Sequence, residues 1–143
     1  MTVGHTRRVV FTEWARDDLR SVMERFPVVA IKVVATLRQL EFGNVQVQQL
    51  RNFGKTGDLT DCGKIPVIVD GFPEHRIVVR DTGSGGFEVL DVVAVEERAD
   101  DLVYLLTAVR LARLVQPVHR SDTERRIARI LALRCSRPEG PRT

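Results

Sequence analysis

A chain of 143 residues is one domain's worth of polypeptide, enough for a single hydrophobic core. Its apolar content of 43% is ordinary for a globular protein, and no run approaches the roughly 20 apolar residues of a membrane helix, so a cytoplasmic protein without a membrane partner is expected. The net charge of +3 is unevenly laid out: residues 116–143 hold seven arginines against Asp122, Glu124 and Glu139, leaving 15 cations against 16 acids in residues 1–115. Bulk attraction to nucleic acid is therefore excluded for the body of the chain, and any such role must rest on local placement of charge.

The first run, "RRVVFT", is β-branched and aromatic and predicts a strand. Thr12 is placed to cap the helix that follows, with Trp14, Leu19, Val22 and Phe26 recurring near helical spacing. Pro27 ends that helix and opens another, in which Ile31, Val34, Leu37 and Leu40 mark an apolar face and Gly43 a stop. Residues 44–60 read as a loop tacked down by Leu50 and Phe53. Three strand-like runs follow, residues 62–69, 75–81 and 87–95, joined by "DGFPE" and "TGSGG", both of hairpin composition. "ADDLVYLLTAVRLARLV" predicts a helix with Asp100 and Asp101 in its first turn. After Pro117, "SDTERRIARILALR" predicts a short basic amphipathic helix, and "CSRPEGPRT" a frayed end. The order predicts an α+β fold: a small antiparallel sheet, two N-terminal helices on one face, and a helix after the last strand. The domain is expected over residues 8–115, with residues 116–143 as a basic extension.

Alternation along the strands places Ile65, Val67 and Val69 on one face and Lys64, Pro66 and Ile68 on the other. Likewise Ile77 and Val79 face the core, leaving Arg76, Val78 and Arg80 opposite. A hairpin centred on Phe72 pairs position 64 with 80 and 68 with 76, so the cations share one open face, with Lys64 and Arg76 on the order of 13 Å apart at strand rise. Such a face is either simply solvated or a groove in which arginine forks grip phosphate oxygens. Cys62, Cys135 and the three histidines lack metal-ligand spacing, so no metal and no cofactor is expected.

"DCGKI", "EHRIVV" and the ending "VEERADDLVY", in which Arg98 and Tyr104 stand six apart, together resemble the RelE/ParE toxin superfamily of toxin–antitoxin pairs, and its RelE-type mRNA endonucleases in particular. The resemblance covers about residues 8–114. It implies a RelE-like fold, a cognate antitoxin as partner, an oligomer with itself or with that antitoxin, and metal-independent cleavage of mRNA on the ribosome by attack of the ribose 2′-hydroxyl. By position it implies Lys64 as the base, Arg76 as a stabiliser of the phosphorane charge, Arg98 as a charge stabiliser or proton donor, and Tyr104 as the residue that stacks on or orients the substrate base. Arg80, on the same open face as Arg76, is expected to bind RNA, and the "EHR" that resembles the YoeB-like branch implies His75 in RNA binding. Pro66 stands where family members carry a second lysine.

Each residue also has a structural reading: Lys64 as an edge-strand lysine, Arg76 paired with an acid, Arg98 neutralised among Glu96, Glu97, Asp100 and Asp101, and Tyr104 at the edge of a core. A ParE-like inhibitor of DNA gyrase, acting by protein binding, or a non-toxic binding remnant would be built on the same fold.

Overall fold

The computed structural model describes residues 7–53, 57–82, 89–114 and 117–135. Strand β1 (Arg8–Phe11) leads into α1 (Glu13–Arg25) and α2 (Pro27–Glu41). Short strands β2 (Gln48–Gln49), β3 (Asn52–Phe53) and β4 (Gly57–Asp58) precede the long hairpin strands β5 (Cys62–Val67) and β6 (His75–Asp81). Then come β7 (Val89–Glu97), a 3₁₀ turn (Ala99–Asp101), α3 (Leu102–Arg110) and α4 (Pro117–Cys135). The main sheet runs β1-β7-β6-β5-β2, antiparallel except for the parallel pair β1–β7. The expected "TGSGG" joint beyond Thr82 and the end of the chain after Cys135 lie outside the described residues, as do the side chains of Phe53 and Cys135. Among the described residues, no helix is long and apolar enough to cross a membrane.

Local chemistry accounts for the helices. The Thr12 hydroxyl accepts from the Ala15 N–H and caps α1, while Pro27 opens α2 at its first position. The buried face of α1 is Ala15, Asp18 and Val22, and Trp14 is 42% exposed. That stripe keeps helical spacing, but its centre is an aspartate, which patterning assigns to solvent. In α2 the buried residues are Val29, Ala30, Val33, Leu37 and Leu40, whereas Ile31 is 64% exposed. "VVAIKVVATL" offers two apolar stripes, and contact with the sheet selects one of them. These helices cover Ile65, Val67, Ile77, Val79, Leu90, Val92 and Val95.

The opposite face is not wholly open. Leu50, Leu59 and Val103 close over Cys62, Val78 and Ala94, so α3 and the segment before β5 roof part of it. Burial pushes the Cys62 thiol up to about 12, with the Asp61 carboxylate adding to the effect. Gly57 lies against the end of α3 with φ of +79°, and a Cβ there would stand 2.4 Å from the Arg113 carbonyl oxygen. Only glycine fits that approach. Asp100 and Asp101 adopt left-handed φ values of 59° and 60° and make no side-chain cap, so they form a turn before α3 and not its first turn. Helix α4, longer than the sequence pattern suggested, packs Ile127, Ile130 and Leu131 on Leu102, Leu105, Leu106 and Val109 of α3.

One ion pair joins three elements. β1 ends opposite Val92, and β7 continues past it with a bulge at Val93. There the Asp18 carboxylate accepts from the Val95 N–H at 2.9 Å and from both Arg110 terminal nitrogens at 2.6 and 2.8 Å. Arg110 also donates to the Val93 carbonyl at 3.0 Å. Both side chains are largely buried. Asp18→Ala leaves a buried guanidinium and a strand N–H unpaired and should cost about 3–5 kcal/mol, measured by urea unfolding. A loss below about 1 kcal/mol, the range of a surface pair, would show that the clamp is dispensable.

Candidate phosphate-binding site

β5 and β6 pair Cys62 with Arg80, Lys64 with Val78 and Pro66 with Arg76. The hairpin is thus centred on Gly71, whose φ of +86° makes the turn, and not on Phe72. This shift preserves which face each residue takes but moves Lys64 and Arg76 onto adjacent diagonal positions, roughly 7–8 Å apart at Cα. The wider spacing read from the sequence is corrected accordingly. Pro66 removes no bond between β5 and β6. The Cys62 carbonyl accepts from Leu50 on the β2 side, so two and four residues on, Lys64 and Pro66 turn their backbone groups that way too. An N–H at Pro66 would point past the end of β2.

Arg76 is held at both ends of its guanidinium. Nε donates to Glu74 at 2.9 Å, Nη2 lies 2.8 Å from the same oxygen, and Nη1 donates to the Tyr104 hydroxyl at 2.7 Å. The acid that pairs with Arg76 is thus its neighbour two residues back on the same segment. The Arg98 N–H donates to the Glu74 carbonyl at 2.9 Å, extending the β6–β7 ladder by one residue and fixing where Arg98 leaves the sheet. Its exposed side chain makes no hydrogen bond or ion pair with a described residue. Two of the acids beside it are engaged elsewhere: Glu96 accepts from Arg134 at 2.8 Å, and Glu97 from Arg25 at 3.0 Å. Glu96 and Glu97 are therefore taken by other arginines and do not neutralise Arg98.

Lys64 sits among these groups, its ammonium pushed below the usual lysine range by desolvation, then by the positive charges of Arg76, Arg98 and Arg51, and opposed by Glu74. Arg51 was not singled out from the sequence, where it lies in a segment without strand or helix pattern. A shallow cavity of about 400 Å³ is lined by Arg51, Gln48, Gln49, Leu50 and Lys64. The Tyr104 phenol, half-buried, is pushed up by desolvation, against the lowering effect of the Arg76 guanidinium. Four cations and one phenol thus converge with the Glu74 carboxylate at this corner of the sheet, the Asp101 charge also reaching the phenol, and cations outnumber acids, a composition suited to phosphate oxygens.

Two residues expected to bind RNA are placed elsewhere. His75 is fully buried on the helix-covered face, its ring edge-on to Phe26. Its side chain points away from the cations, and that expectation is corrected. Alternation sets Arg76 on one face and its neighbour His75 on the other. Arg80 binds Asp61 at 3.2 Å, and Asp61 also takes two bonds from Arg113 at 2.9 and 2.6 Å. This second cluster, four residues further along β6, ties the end of α3 to the start of β5.

No protein-family model and no curated protein matches the sequence. Solved structures do match. One is described as a YoeB/ParE toxin from Agrobacterium tumefaciens, 19% identical, with a TM-score of 0.47, covering 64% of this chain and 98% of that one. A YoeB dimer from Staphylococcus aureus is 11% identical at a TM-score of 0.45, covering 65% of this chain and 98% of that one. The toxin–antitoxin complex RelBE2 from Mycobacterium tuberculosis contains a chain 21% identical at a TM-score of 0.39, covering 70% of this chain and 98% of that one.

Two titrations test the site. Arg76→Ala removes a repelling cation and releases Glu74, so the Lys64 ammonium should titrate higher than in the parent, followed by NMR of its terminal methylene; an unchanged midpoint would show that Arg76 does not act on Lys64. Burial pushes the His75 imidazole below its ordinary 6.5. Between its folded value and 6.5 the unfolded chain binds more protons, so stability is complete above pH 6.5 and falls as pH drops through that window. His75→Phe should flatten this slope in unfolding midpoints measured from pH 7 to 5, and an equally steep slope in the variant would assign the acid lability to other groups.

Proposed function

We propose that this chain is a toxin of the RelE/ParE kind that inhibits translation by cleaving mRNA on the ribosome without a metal, and that a cognate antitoxin neutralises it. The observation that supports this reading is the convergence of Lys64, Arg76, Arg98 and Tyr104 at one corner of the sheet, with Glu96 and Glu97 already bound to other arginines. In the reaction the 2′-hydroxyl gives its proton to a base and its oxygen attacks the adjacent phosphorus. The bond from phosphorus to the 5′-oxygen then breaks, and that oxygen takes up a proton. The products are a 2′,3′-cyclic phosphate and a free 5′-hydroxyl.

Lys64 is the base in this scheme. Desolvation and three neighbouring cations raise the fraction of neutral amine, which is what a lysine base requires. Arg76 and Arg98 meet the charge that develops on the non-bridging oxygens. Arg76 is pre-aimed by Glu74 and Tyr104, so little reorganisation accompanies the reaction. Tyr104 offers its ring edge and hydroxyl to the base of the reacting nucleotide, and Arg51 a further contact to the strand. Gly-rich or acidic metal-binding chemistry is not needed for any step.

Cleavage on ribosomes programmed with a defined mRNA tests the proposal. The parent should cut in the A site and leave a 2′,3′-cyclic phosphate, while Arg76→Ala and Arg98→Ala should each lower the rate roughly 100- to 1,000-fold at unchanged fold. A folded parent that arrests growth without cutting mRNA would overturn the nuclease reading and make gyrase the target to assay. A parent that neither cuts nor arrests growth would leave only a binding role.

A further inference from the structure

Arg76 and Glu96 are direct cross-strand partners, so both side chains leave the same face of the sheet. The alternation of the ladder makes this a hydrogen-bonded pair, with Cα atoms about 5.5 Å apart. A guanidinium and a carboxylate so placed ordinarily join. Here they do not. Arg76 is bound to Glu74 and Tyr104, and Glu96 accepts from Arg134 at 2.8 Å and from the Glu97 N–H at 2.8 Å. Arg134 comes from α4, beyond the part of the chain that carries the family resemblance, and it also lies 3.5 Å from Glu97.

We propose that Arg134 is a positioning residue: by holding Glu96 it withholds that carboxylate from Arg76, so the docking of α4 on α3 sets the charge of the phosphate site. Glu96 is only 6% exposed, so a carboxylate released from Arg134 must find another cation. The nearest on its own face is Arg76, and Arg98 follows two residues along β7. Capture of either removes a phosphate-binding fork and adds a further acid to the corner. The ligand in this inference rests on the proposed function, but the withholding of Glu96 does not, and the two can be tested apart.

Tyr104 makes this possible, because it is the chain's single tyrosine and its hydroxyl accepts from Arg76. Its phenolate absorbance reports the Arg76 guanidinium without any RNA. Arg134→Gln should raise the Tyr104 titration midpoint and weaken binding of a fluorescent single-stranded RNA hexamer about tenfold, the worth of one charge-assisted contact. Arg134→Gln/Glu96→Gln should restore both to parental values, and Glu96→Gln alone should change neither. Should Arg134→Gln unfold, Arg134→Gln/Glu97→Gln removes the deeper carboxylate, leaves Glu96 unheld, and should show the same two shifts. An unchanged Tyr104 midpoint with Glu96 unheld, or a double variant as impaired as Arg134→Gln, would reduce Arg134 to a tie for α4 and overturn the inference. The expected Tyr104 shifts in a parent that binds no RNA would support the positioning role and count against the nuclease reading alone.

Discussion

The architecture turns on how the outer edge of β7 is completed. β1 supplies four partners and stops, yet β7 continues for five more residues with a bulge among them. The Val93 carbonyl and Val95 N–H would otherwise be buried without partners, at a cost of roughly 1–3 kcal/mol each. Asp18 and Arg110 fill the place of a missing strand, one accepting and one donating, each neutralising the other. The pair fixes α1 against the sheet and fixes the end of α3. The start of α3 is set by the 3₁₀ turn, and between these two anchors Tyr104 is carried over Arg76.

Most of the fold was legible because the strands and helix boundaries rest on local chemistry. Thr12, Pro27 and the apolar alternation of residues 62–67 and 75–81 mark their elements directly. What patterning misplaced has physical causes. Asp18 is charged and buried, so it breaks the stripe of α1 while serving its packing. Parity along a strand is robust to a register shift of two residues, so the shared face of Lys64 and Arg76 was readable but their separation was not. His75 was drawn in by its neighbours in sequence, although a strand sends adjacent side chains to opposite faces.

The site also shows why net charge is a poor guide to it. The body of the chain is nearly neutral, yet a cationic corner exists because acids are allotted to other arginines. Arg110 takes Asp18, Arg113 and Arg80 take Asp61, and Arg25 and Arg134 take Glu97 and Glu96. With several of the chain's 19 acids withdrawn in this way, Lys64 feels three arginines, Arg76, Arg98 and Arg51, against the Glu74 carboxylate. Which acid meets which arginine depends on contacts far apart in sequence, and composition carries no record of them.

Those separations also govern how the molecule is made. The bonds from Thr12 to Val92 span 80 residues, and those from Asp18 to Arg110 span 92. Contacts between distant segments close late, after the loops between them have been ordered. During synthesis the β5–β6 hairpin emerges with Lys64 and Arg76 already on adjacent diagonal positions across it, while β1 has no partner until β7 follows. A chain interrupted before residue 89 would hold Arg51, Lys64 and Arg76 but neither Arg98 nor Tyr104, and its first strand, without β7, would present bare edges on both sides. The cationic corner is thus complete only once Tyr104 has been made, and chains that stop before β7 lack it while carrying an added tendency to associate.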